Sequence, residues 1–172
     1  MPGKLVCLMR HSEAVAQLSD GVTRDFDKPL TDHGIHQLEH VRDFLKAHHF
    51  LPDLIVCSPA VRTRQTLEWI QEALGSGAEV VFDEELYGIK ADALIRKLGD
   101  LPNKKSTVLV VGHNPAISDA MQTLLNLVKT GDVSIALPAK PSQLAIFRMQ
   151  TTDWSALTAE KVEVETSFEP EH

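Results

Sequence analysis

The sequence predicts an α/β fold on a mostly parallel sheet, and two observations carry that reading. Three short apolar runs, residues 5–9, 54–57 and 107–111, have the length and flanks of buried strands. Helical patterns, with apolar residues three and four apart, lie between and after these runs. Such alternation closes into parallel neighbours joined by crossovers, which brings the strand ends to one edge of the sheet.

The chain has 172 residues, enough for one sizeable core and short for two, so a single domain over 1–172 is expected. Apolar residues make up 43% and charged residues 24%, ordinary for a globular protein. No run approaches the ~20 apolar residues of a membrane span, and the N-terminal apolar run is too short for a secretory signal. The net charge of −7 argues against a general binder of nucleic acid or anionic membranes. Cys7 and Cys57 both fall inside strand-like runs, so buried free thiols and a cytoplasmic setting are expected.

The first strand, 5–9, breaks directly into Arg10 and His11. Residues 15–29 are polar and turn-rich, with Ser19-Asp20-Gly21 and Asp25-Phe26-Asp27-Lys28-Pro29, and read as a long loop of the kind that is often functional. Thr31 then caps an amphipathic helix carrying Ile35, Leu38, Val41, Phe44 and Leu45, which ends near His48 and His49. The second strand, 54–57, runs into Ser58-Pro59, a cap followed by a first-turn proline, and predicts a helix over 59–74. Arg62 sits in that first turn. A third strand over 80–82, an acidic loop over 83–88 and a short helix over 91–98 follow.

The fourth strand, 107–111, is the most hydrophobic run and is expected at the centre of the sheet. It breaks into Gly112-His113-Asn114-Pro115, which repeats the cap-plus-proline device ahead of a helix reaching about residue 129. Closing strands are expected over 134–137, 143–149 and 161–165, with a loose tail over 166–172.

Three strand ends therefore carry candidate groups: Arg10 and His11, Arg62, and His113. In an open α/β sheet the ligand crevice forms where strands end. Two guanidiniums and two imidazoles at one mouth, with helix N-termini pointing there, suit a doubly charged anion, and phosphoryl fits best.

Arg10-His11, Leu30-Thr31 with Gly34, Ser58-Pro59 with Arg62, and Gly112-His113-Asn114-Pro115 occur in the order and spacing of a known family. The chain resembles the histidine phosphatase superfamily, the phosphoglycerate-mutase-like proteins, over nearly its whole length. Its small size, Pro29-Leu30-Thr31 and a late Trp154 are most similar to the SixA-type phosphohistidine phosphatases. The resemblance implies a three-layer α/β/α fold with a mostly parallel central sheet and minimal insertions. His11 would be the nucleophile that takes the phosphoryl group and releases it to water. Arg10, Arg62 and His113 would hold the non-bridging oxygens, with Asn114 also among the phosphate-binding residues. Side chains would supply all the positive charge, so no metal or cofactor is expected.

The general acid departs from the family pattern. The segment after the third strand offers Glu84 and Glu85, with Glu85 the candidate proton donor. Imidazole leaves a phosphoramidate more readily than an alkoxide leaves an ester, so a site without a firm acid leans toward phosphohistidine on a protein partner. A small phosphorylated metabolite is the alternative substrate, and a non-catalytic phosphate-dependent binding module the alternative function. A mutase is disfavoured, because the chain lacks length to enclose a mobile intermediate. His33, His36 and His40 share a helix face but lack the ligands to complete a tetrahedral metal site, so a solvated face is the simpler reading. Ser58 lies in no G-x-S-x-G elbow and is read as a cap.

Overall fold

The computed structural model describes residues 3–19, 21–129, 133–159 and 161–171; Asp20 of the first loop and the terminal His172 lie outside them. Among the described residues, six strands form one sheet: β1 (Lys4–Arg10), β2 (Leu54–Cys57), β3 (Glu79–Phe82), β4 (Thr107–Gly112), β5 (Leu144–Met149) and β6 (Val162–Phe168). Their spatial order is β3-β2-β4-β1-β5-β6. The pairs β1–β4, β4–β2 and β2–β3 are parallel, whereas β5 runs antiparallel to both neighbours. The fold is α/β, with a mostly parallel central sheet.

Alternation along the strands separates two cores. Cys7, Met9, Ile55, Cys57, Leu109 and Val111 face α1 (Asp32–Ala47) and α2 (Val61–Ile70). Val6, Leu8, Leu54, Val108 and Val110 face α3 (Ala91–Gly99) and α4 (Ala116–Leu125). This gives three layers. Both cysteines are buried free thiols, and desolvation pushes Cys57 up to about 12.

Several boundaries differ from the sequence reading. Residues 134–137 form no strand: Ile135 and Leu137 pack half-buried against the core on the α3–α4 side, but the run pairs with no strand among the described residues, and Pro138 cuts it short. The last helix ends at Leu125 rather than near 129, giving way to turns, and Val128 then bridges to Val162. The expected loose tail is ordered through β6 as far as Phe168, whose ring packs 5.3 Å from that of Phe44. Pro59 does not open α2. The chain stays extended at Ala60, the helix begins at Val61, and Gln71–Leu74 is a separate 3-10 turn.

The Thr31 cap is formed as expected: its Oγ1 accepts the Gly34 N–H at 2.9 Å and donates to the Glu13 carboxylate at 2.7 Å. Gly34 is required there because an added Cβ would run into the backbone of Glu13. The first turn of α1 is thereby pressed against the segment after β1. No described helix is long and apolar enough to cross a membrane.

Candidate active site

The parallel register sets Arg10 beside Gly112, so the ends of β1 and β4 are neighbours. His11 continues that pairing through its N–H to the Gly112 carbonyl at 3.0 Å, and its own carbonyl accepts the Ser142 N–H at 3.0 Å. Ser12 is tied down by Thr66 Oγ1 at 2.9 Å, by the Gly34 carbonyl at 2.7 Å and by the Ser142 hydroxyl at 2.6 Å. His11 thus stands on a backbone fixed from several sides.

Arg10, His11, Arg62, His113 and Asn114 line one open cavity of about 310 Å³, together with Glu13, Asp25, Lys28 and Pro141. The His11 and His113 rings lie 5.3 Å apart. His11 Nδ1 lies 2.6 Å from the Ser12 carbonyl. A carbonyl can only accept, so Nδ1 carries the proton and Nε2 holds the lone pair. Burial, His113 and both arginines lower the His11 pKa to about 3, against a smaller upward pull from the Ser12 carbonyl. The ring is neutral at ordinary pH.

His113 is lowered to about 4, chiefly by burial and then by Arg62. Its Nε2 meets the Ser58 hydroxyl at 2.7 Å, while Nδ1 is buried without a hydrogen-bond partner among the described residues. Arg10 Nη1 donates to the Ala139 carbonyl at 2.9 Å, and its Nε is likewise buried and unpartnered. Burial, then Arg62, lower the Arg10 pKa. Two guanidiniums close enough to repel, beside unpartnered polar nitrogens, make a site that favours an anion.

Asn114 lines the cavity, but its Nδ2 donates to the Ala139 carbonyl at 2.9 Å and its Oδ1 accepts from the Ser118 hydroxyl at 2.7 Å. It braces the loop whose carbonyl also orients Arg10. Glu85 is not brought to the cavity: its carboxylate pairs with Lys97 at 3.0 Å and is 75% exposed. The acidic residues that do line it, Glu13 and Asp25, were not singled out as site residues from the sequence. Asp25 is bound by Arg62, and Ser58, read from the sequence as a helix cap, contacts a catalytic candidate instead, the N-cap position of α2 falling to Ala60. The one available signal was the long 15–29 loop. His33, His36 and His40 lie on the exposed face of α1, beside Phe168 and Glu169 and away from this cavity. A larger cavity, about 470 Å³, lies between β3 and α3 with an apolar floor, and neither His11 nor His113 lines it.

The chain belongs to the histidine phosphatase superfamily (branch 1), whose pattern it matches over residues 6–94. An uncharacterized protein of Mycobacterium tuberculosis is 32% identical over 128 residues, covering 74% of this chain and 76% of the relative. A candidate phosphohistidine phosphatase SixA from Nakamurella multipartitia superposes with a TM-score of 0.80 at 30% identity, over 99% of this chain and 98% of that one. A second candidate SixA, from Agrobacterium tumefaciens, gives 0.79 at 25% identity, over 99% of this chain and 100% of that one.

Proposed function

We propose that the chain is a phosphatase working through a phosphohistidine on His11, with protein-borne phosphohistidine as its substrate class. The observation that carries this reading is the 2.6 Å contact from His11 Nδ1 to the Ser12 carbonyl, which leaves a neutral ring with its lone pair on Nε2. A module that only bound phosphate would gain nothing from a nucleophile held in that tautomer.

In the first step Nε2 forms a bond to phosphorus while the bond to the leaving group breaks, its electron pair departing with that group. Arg10, Arg62 and His113 surround the charge spread over the transferring oxygens, so catalysis is positioning plus electrostatics. In the second step water attacks phosphorus, the bond to Nε2 breaks, the pair returns to the ring, and inorganic phosphate leaves.

The substrate class follows from the carboxylates that line the cavity. Asp25 is held at about 2, first by the Tyr87 hydroxyl and then by Arg62, and is ionised at neutral pH. The Glu13 carboxylate is engaged by Thr31. With Asp25 ionised and so carrying no proton for an alkoxide, an imidazole leaving group is favoured over an ester oxygen. The open mouth admits a group carried on a protein surface.

The test compares kcat/KM for a phosphohistidine protein, a phosphoserine peptide and a sugar phosphate under one set of conditions. The phosphohistidine protein is expected to turn over fastest. Faster turnover of the sugar phosphate would overturn the substrate class.

A further inference from the structure

Arg62 reaches the cavity as a long side chain from the first turn of α2, and one residue holds both of its terminal nitrogens. Nη1 donates to the backbone carbonyl of Asp25 at 2.8 Å, and Nη2 to its Oδ2 at 3.0 Å. Asp25 is held in turn: the Tyr87 hydroxyl donates to the same Oδ2 at 2.6 Å, and Lys28 Nζ lies 3.5 Å from Oδ1. The Phe26 ring meets Tyr87 edge-on at 5.2 Å, and Tyr87 meets His113 edge-on at 5.4 Å. The long loop after β1, the acidic segment after β3 and the start of α2 are joined at this one carboxylate.

Stability does not account for the arrangement. Arg62 is largely buried, but the Asp25 carboxylate is 54% exposed, and an ion pair with one partner open to water contributes little to folding. Geometry accounts for it better. Arg62 lies near enough to Arg10 to lower its pKa, so without an anion beside it the guanidinium would be driven toward solvent. Asp25 balances that repulsion and fixes a flexible side chain before any ligand arrives, which removes an ordering cost from binding. A guanidinium has five N–H donors. Two are engaged by Asp25, which leaves Nε–H and one N–H on each Nη for an oxyanion.

We infer that Asp25 is the positioning residue for Arg62, holding the guanidinium at the cavity so that its remaining donors are available to a phosphoryl group, and that Tyr87 holds Asp25. This rests on the phosphoryl chemistry proposed at His11, but oxyanion binding can be read without turnover.

The experiment measures tungstate affinity by calorimetry, together with kcat, KM and thermal midpoint, for Asp25→Ala, Arg62→Ala, their double variant, Tyr87→Phe, and Tyr87→Phe combined with Asp25→Ala. Asp25→Ala is expected to weaken tungstate binding about tenfold with little change in thermal midpoint. In the Arg62→Ala background the same change is expected to add less than about twofold, because the two act as one unit. Tyr87→Phe is expected to show a smaller loss that disappears once Asp25 is removed. Wild-type or tighter tungstate binding by Asp25→Ala, which would make the carboxylate a competitor of the anion, overturns the inference, as do additive effects. Coupled binding in a protein that releases no phosphate would uphold the positioning role and sink the phosphatase reading. Uncoupled binding in an active enzyme would do the reverse.

Discussion

The Ser58 hydroxyl lies 2.7 Å from Nε2 of His113, so the turn after β2 holds a ring that belongs to the end of β4. The contact is fully buried on the serine side and fixes one edge of the imidazole. Ser58→Ala is expected to lower kcat/KM by roughly tenfold, the scale of one lost buried hydrogen bond that orients a charged-group binder. Steady-state kinetics beside His113→Ala checks it. An unchanged rate would mean that packing against Tyr87 and His11 suffices to hold the ring.

Acid should destabilise the fold through the two site histidines. His11 and His113 titrate at about 3 and about 4 in the folded protein, whereas an unfolded histidine titrates near 6.5. Below about 6.5 the unfolded chain therefore binds protons first, and stability falls as pH drops toward those folded values. The linkage is on the order of 2 kcal/mol per histidine between pH 7 and pH 5. Urea unfolding at both pH values should show a smaller drop for His11→Gln than for the wild type. Equal drops would contradict the neutral, buried His11.

Gly34→Ala should damage both fold and site. Its Cβ would meet the Glu13 backbone and the Ser12 hydroxyl, so α1 would have to retreat from the segment that carries His11. Overpacking of this kind costs about 1–3 kcal/mol. Thermal melts and kcat/KM should fall together, and a stable, fully active variant would show that the close approach is dispensable.

Glu85→Gln should leave kcat/KM within about twofold of wild type, because that carboxylate pairs with Lys97 outside the cavity. Arg62→Ala, by contrast, should cost about ten- to a hundredfold. Kinetics on aryl phosphate and phosphoramidate substrates distinguishes the two. A large Glu85 effect confined to the ester would restore it as a proton donor.

The sheet and the cluster at its edge were legible because apolar runs of strand length end on the residues concerned. Arg10 ends β1 and His11 follows it at once, His113 follows β4, and parallel pairing then brings them together. Asp25 and Tyr87 were not legible. They lie in segments without periodicity, and Asp25 meets Arg62 and Tyr87 across 37 and 62 residues of chain. The residues at 134–137 misled for the opposite reason: Ile135 and Leu137 alternate like a strand and turn one side to the core, yet they pair with no strand among the described residues. Ser58 satisfied a local capping pattern while its hydroxyl was drawn to His113, a tertiary contact that overrides the local preference.

The proposed mechanism turns on His11 Nε2 taking the phosphoryl group. The most direct measurement is rapid mixing of the protein with a phosphohistidine protein or a phosphoramidate, alkaline quenching, and mass spectrometric location of the adduct. An acid-labile phosphoryl group is expected on His11 within the first turnover, and none on a folded His11→Ala variant, which should also release no phosphate. An adduct on another residue, or full turnover by His11→Ala, would contradict it.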